Sequence, residues 1–272
     1  MLRTEERNPK TMHIDQMSSV EIAKIMNEEN RNTVDAVEAV LEQVAKGIDA
    51  IADAFAKDGR LFYIGAGTSG RLGVVDASEC PPTFGVPHGK VVGIIAGGYD
   101  ALVKASEISE DSGEFGVRDV KAHNIGKNDV LVGISAAGGA AYVVEAMKYA
   151  QSLGCITIGI TSNEGSLVDE VSDISICADT GAEVVTGSTR LKAGTSQKLI
   201  LNMLSTGAMI KSGYVYENLM INLKATNIKL KQRMVRIVCD VIPVSNVEAE
   251  DLLEKADWNI RRAIELSGYS TK

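Results

Sequence analysis

Five short apolar runs, spaced between helical stretches, constrain the fold of this chain more than any other feature. They are LFYIG (61–65), KVVGIIA (90–96), DVLVGIS (129–135), CITIGIT (155–161) and DISICA (173–178). Each is apolar at nearly every position. A strand covered on one face alternates apolar with polar residues; a strand covered on both faces does not. Stretches with helical spacing lie between them, as in YVVEAMKYAQSLG (142–154), where Gly154 is placed to end a helix. Buried strands joined by helices make an α/β fold, a doubly wound five-stranded parallel sheet.

The flanks are helical. Residues 18–57 carry apolar-periodic runs, with Ser18, Ser19, Asn32 and Thr33 as plausible N-caps. AGTSQKLILNMLSTGAMIKSG (193–213) is apolar on more than one face and reads as a buried helix. EAEDLLEKADWNIRRAIELSG (248–268) is amphipathic, and Pro243 separates it from the helix before it. The expected division is an N-terminal helical segment (1–57) packing on a core domain (58–240), then a small C-terminal helical appendage (241–272). A chain of 272 residues that is 45% apolar has enough core for this.

Composition narrows the partners. The formal net charge of −8 argues against nucleic acid or an anionic membrane, since both need a basic footprint. No apolar run nears the roughly 20 residues of a membrane span. The opening MLRTEERNPK has no apolar core of a secretory signal. Cys80, Cys155, Cys177 and Cys239 are scattered and read as reduced thiols, so the expected compartment is the cytoplasm. His13, His88 and His123 are equally scattered, and no metal is expected.

After the first strand comes YIGAGTSGRLG (63–73). Gly65, Gly67 and Gly70 match the dinucleotide pattern G-x-G-x-x-G, which alone is weak. A nicotinamide site also needs an acid at the end of the second strand. Here Ala96, Gly97 and Gly98 stand there. Pro81 and Pro82 also predict something other than a plain crossover helix before that strand. Thr68 and Ser69 suit a small terminal phosphate better, held by loop N–H groups at a helix N-terminus. Capping of the following helix would account for one such hydroxyl, but not for a second small-residue loop, VGISAAGGAAYV. Nor would it account for TGSTRLKAGTSQK (186–198), which sets Thr186, Ser188, Thr189, Arg190 and Lys192 before another helix.

Two carboxylates stand out by context: Glu79 in DASECPPTFG (76–85) and Glu110 in EISEDSGEFG (107–116). A carboxyl in a partly apolar cleft can serve as acid or base. Spacing alone does not separate Glu110 from Glu107, Asp111 or Glu114.

These segments resemble the N-acetylmuramic acid 6-phosphate etherases, sugar-phosphate enzymes of the SIS fold. The likeness runs from TEERNPKTMHIDQMSSVEIAKIMNEE (4–29) through GAGTSGRLGVVDASECPPTFG (65–85) and EDSGEFGVRDV (110–120) to GAEVVTGSTRLKAGTSQKLILNMLSTGAMIKSG (181–213) and ENLMINLKATNIKL (217–230). It implies cleavage of the D-lactyl ether at C3 of the sugar by elimination and hydration, without metal or redox cofactor, in a homodimer. By motif, Glu79 matches the proton donor to the ether oxygen and Glu110 the base at C2. Gly67, Thr68, Ser69, Gly70, Ser135, Glu183, Ser188, Thr189 and Lys192 are the implied contacts to substrate.

The chain departs from this family at one loop. Where etherases carry Ser-Gly-Arg-Thr-Pro, this chain reads AAGGAAY (136–142), with Ala137, Gly139, Ala140 and Ala141 in place of the serine, arginine, threonine and proline. Two hydroxyl donors and a cation are gone, each neutral hydrogen bond being worth roughly 0.5–1.5 kcal/mol; Ser135 is placed to compensate. Glu217 stands where glycine is usual and Asn222 where aspartate is, and the C-terminal appendage is shorter by about one helix than the family pattern. The altered loop keeps an alternative open, a non-catalytic sugar-phosphate sensor. A sugar-phosphate isomerase of the same fold fits less well, because it has no need of DASECPPTFG.

Overall fold

The computed structural model describes residues 2–104, 109–223, 225 and 227–269. Three 3-10 turns (Arg3–Glu5, Pro9–Thr11, Ile14–Gln16) lead into helices α1 (Ser19–Glu29), α2 (Arg31–Glu38) and α3 (Leu41–Ala56). The sheet then alternates with helices: β1 (Leu61–Gly65), α4 (Gly67–Phe84), β2 (Val91–Ile95), α5 (Gly113–Ala122), β3 (Val130–Ile134), α6 (Ala141–Ser152), β4 (Ile156–Thr161), α7 (Leu167–Val171) and β5 (Ile174–Cys177). After it come α8 (Lys192–Lys211), a short hairpin β6 (Val215–Tyr216) and β7 (Leu219–Met220), and helices α9 (Ile228–Val241), α10 (Asn246–Lys255) and α11 (Ile260–Leu266).

All five expected strands form, paired in parallel in the order β2-β1-β3-β4-β5. Successive residues of β1 feed opposite faces. Leu61 and Tyr63 pack beneath α3, α4 and α8, whereas Phe62 and Ile64 pack beneath α5 and α6. The chain leaves β1 toward β2 on one side and returns to β3 on the other. The strand order therefore reverses between β1 and β3, where open α/β sheets hold their ligands.

The proline expectation needs correction. α4 is an 18-residue helix that runs through Pro81 and Pro82. The pair lies in its last turn, so the two missing N–H donors leave only the carbonyls of Ala77 and Ser78 without a backbone partner four residues on, and the helix ends within a turn. Gly85 then closes the helix in a left-handed conformation (φ +69°), its N–H donating to the Pro81 carbonyl over 2.9 Å.

The N-terminal segment is fastened to the sheet domain by buried polar groups. The Glu29 carboxylate, 2% exposed, accepts from Asn8 Nδ2 (2.7 Å), Lys10 Nζ (2.9 Å) and Lys192 Nζ (2.9 Å). Asn163 Nδ2, in the loop after β4, donates to Thr4 Oγ1 over 3.1 Å. At the other end a separate apolar core runs from Ile221 to Ile264 and joins α9 to α10 and α11. α9 falls almost wholly before the expected boundary at 240/241, and its buried face, Met234, Ile237 and Val238, packs with α10 and α11.

Candidate functional site

The C-terminal ends of β1 and β3 enclose a cavity of about 130 Å³. Its walls come from three places: Ala66 to Ser69 opening α4, Ile134 to Ala137 with Ala140 after β3, and Glu110 and Thr189 from the sides. Two glycines of the first loop do different work. At Gly70 a Cβ would lie 2.5 Å from the Gly65 carbonyl oxygen, so that glycine lets α4 close on β1. Gly67 has open space but a φ of +52°, which turns the chain from strand into helix.

Ala66 is the N-cap of α4 and no side chain caps it. The first-turn N–H groups of this helix therefore have no intrahelical acceptor, and the residues that carry them line the cavity. They and the helix dipole favour an anion there. Thr68 and Ser69 line it too and are not spent on capping. The Ser69 hydroxyl donates to Gln197 Oε1 of α8 over 3.0 Å. Arg71 points away, its guanidinium donating to the carbonyls of Ala101 (2.8 Å) and Leu102 (3.0 Å).

The altered second loop is tightly held. The Ala136 carbonyl accepts from Ser162 N (3.0 Å), Asn163 Nδ2 (2.9 Å) and Thr161 Oγ1 (3.3 Å), and the Gly138 carbonyl from Val168 N (2.9 Å). A trans peptide sends the next N–H opposite to its carbonyl. The N–H of Ala137, a cavity residue, is thus turned away from these partners. Ser135 Oγ accepts from Gly138 N over 3.1 Å, which leaves its own proton to be donated. This loop offers the cavity the Ser135 hydroxyl and no side-chain cation.

The implied site residues separate into groups. Gly67, Thr68, Ser69, Ser135, Thr189 and Glu110 share the cavity wall. The backbone of Glu110 is anchored there, its carbonyl accepting from Tyr142 N at the start of α6 over 3.1 Å. Gly70 lies behind, at the contact of helix and strand. Ser188, half-buried, precedes Thr189 but is not in the wall. Glu183 and Lys192 are internal, at 0% and 1% exposed. The Glu183 carboxylate caps α8, accepting from Lys192 N and Ala193 N over 3.0 Å each. Burial pushes its pKa up, against those two N–H bonds. Lys192 Nζ reaches Glu29 instead of the cavity. Glu79 is exposed on α4, 12 residues beyond Gly67 and so about 18 Å along the axis, and it does not line the cavity. Among the described residues no cluster of His, Cys, Asp or Glu is set to hold a metal ion, and no helix is long and apolar enough to cross a membrane.

Sequence reasoning passed over Gln197 and Glu29. Gln197 sits inside the TGSTRLKAGTSQK segment, but nothing in that run tells which side chain turns inward to Ser69.

Comparison with known proteins fits this geometry. Residues 43–151 match the family described as glucokinase regulatory protein N-terminal SIS domain, and residues 107–207 the SIS domain. The chain is 52% identical to N-acetylmuramic acid 6-phosphate etherase of Clostridium beijerinckii over 97% of its own length and 86% of the relative's. It is 50% identical to the enzyme of that name from Cronobacter sakazakii, over 97% and 89%. Among solved structures, a phosphoheptose isomerase from Francisella tularensis superposes with a TM-score of 0.57 at 18% identity, over 71% of this chain and 100% of that one. At that identity the match speaks for the fold.

Proposed function

The chain belongs to the N-acetylmuramic acid 6-phosphate etherase family, and from that premise we propose how its residues carry out the reaction. It is a carbon–oxygen lyase of amino sugar recycling. It converts N-acetylmuramic acid 6-phosphate and water to N-acetylglucosamine 6-phosphate and D-lactate.

The 6-phosphate occupies the cavity at the start of α4, against the first-turn N–H groups and the hydroxyls of Thr68, Ser69, Ser135 and Thr189. The sugar is held in its open-chain form, where the C1 aldehyde acidifies the C2 proton. Glu110 removes that proton, the C3–O bond breaks, and the lactate oxygen takes a proton from an acid. Water then adds across C2=C3, its oxygen to C3 and a proton to C2. General acid–base steps of this kind each contribute roughly 10²–10⁴-fold.

The observation that carries this reading is that Glu110 and the uncapped start of α4 share one small cavity. Glu79 stands apart from that cavity. A homodimer in which the partner subunit's Glu79 supplies the acid accounts for the separation, and the cytoplasm is the compartment where the substrate would be met.

The test is D-lactate release from N-acetylmuramic acid 6-phosphate by the purified protein. Glu110→Gln should lower kcat at least about a hundredfold while N-acetylglucosamine 6-phosphate still binds. Full turnover by that variant would remove Glu110 from the mechanism. Binding of the sugar phosphate with no lactate from the unaltered chain would instead favour the sensor that the AAGGAAY loop kept open.

A further inference from the structure

Gln197 is 1% exposed, on the first turns of α8. Its Oε1 accepts the Ser69 hydroxyl proton, yet its Nε2 has no hydrogen-bond partner in the protein. A buried NH2 without an acceptor is costly, and such groups in native folds call for an explanation. The neighbourhood supplies one. Ser69 lines the cavity, and Gln197 lies directly behind it.

A hydroxyl has one proton and two lone pairs. While Ser69 gives its proton to Gln197, it offers an anion in the cavity only lone pairs, which repel it. A half-turn of the carboxamide exchanges Nε2 for Oε1, with no change in shape. Nε2 then donates to Ser69 Oγ, and the Ser69 proton is free to point into the cavity. In each orientation one polar atom of the amide stays unpaired, so neither satisfies the buried amide fully.

We propose that Gln197 is a positioning residue for the anion. Its carboxamide holds the Ser69 proton inward when the cavity is empty and turns to drive it outward when a phosphoryl oxygen is present. The ligand class is a phosphomonoester, and the inference rests on the phosphate site proposed above. Gln197 itself touches no substrate.

The test is a cycle of Gln197→Met, Ser69→Ala and the double variant. Calorimetric binding of N-acetylglucosamine 6-phosphate and of unphosphorylated N-acetylglucosamine is read beside kcat and KM for lactate release. Gln197→Met should weaken the phosphorylated sugar about tenfold, leave the unphosphorylated one unchanged, and raise KM with little change in kcat. Because Gln197 acts through Ser69, the double variant should be no worse than Ser69→Ala alone. Gln197→Glu, which when ionised can only accept, should pin the proton inward and, at a pH where the carboxyl is ionised, bind the phosphorylated sugar more weakly than Gln197→Met. It also keeps the question answerable if the methionine variant does not fold.

Losses that multiply in the double variant would overturn the proposal. So would equal losses for both sugars, or a fall in melting temperature with unchanged binding. Binding that follows the expected pattern without lactate release would sink the etherase mechanism and leave Gln197 in its role. Lactate release with binding indifferent to Gln197 would do the reverse.

Discussion

At the scale of single residues, two positions make sense only with their neighbours. Glu217 lies at the turn between β6 and β7 with φ +51°, the left-handed region where a Cβ is strained. The resemblance had expected glycine there. Glu217→Gly should therefore raise stability by about 0.5–1 kcal/mol, read as a higher urea midpoint; an unchanged or lower midpoint would argue against strain at this turn. Glu29 is the second case. Burial alone would raise its carboxyl, but hydrogen bonds from Lys10, Lys192 and Asn8 outweigh that and lower it from 4.5 to about 2. A depressed carboxyl stabilises the fold fully above its unfolded pKa and loses that contribution as pH falls through the folded one. Up to about 3 kcal/mol of stability should thus fade between pH 4.5 and 2. Glu29→Gln should lose most at neutral pH, and its deficit in urea midpoint should shrink through that window. Asp76 and Glu183, whose carboxyls are raised chiefly by burial, work in the opposite sense.

At the scale of elements, the site depends on how two helices begin. α4 starts without a side-chain cap, which leaves its first-turn N–H groups without a side-chain acceptor, while α8 starts on the Glu183 carboxylate. The same backbone feature thus faces a cavity in one helix and a buried carboxylate in the other. Gly70→Ala should cost about 1–3 kcal/mol, because its Cβ would meet the Gly65 carbonyl oxygen at 2.5 Å and Ile95 Cγ1 at 2.7 Å. Gly67→Ala should cost about 1–2 kcal/mol through backbone strain alone, since no atom lies within 4 Å of the added carbon. Denaturation of both variants would separate the two causes. A stability loss at Gly70→Ala no larger than that at Gly67→Ala would refute the close-packing account.

At the scale of the whole molecule, the question is whether one chain holds a complete site. Glu110 lines the cavity, and Glu79 lies exposed about 18 Å along α4 from Gly67. If the site is shared between subunits, Glu79→Gln and Glu110→Gln should each be inactive alone. Mixed and allowed to exchange subunits, they should recover about a quarter of the wild-type rate, because half the dimers then carry one intact site of two. No recovery, with exchange verified, would place both glutamates in one subunit's site and require α4 to move.

The sequence by itself determined the layered fold. Five strand runs and the buried α8 follow from local periodicity, and each formed where expected; the small-residue loop after β1 opens α4 and lines a cavity. Strand runs are legible because burial on both faces leaves an unbroken apolar signature. Only the tertiary structure decided which polar residues meet. Glu183 and Lys192 stand among hydroxyl-bearing neighbours, yet both make internal contacts, Lys192 with Glu29 of the N-terminal segment and Glu183 with the first N–H groups of α8. Ser69 and Gln197 are 128 positions apart and meet because α8 crosses α4. Whether a polar side chain faces a cavity or a buried partner depends on which distant element covers it. No local pattern carries that information, because the free energy that decides it belongs to contacts between elements.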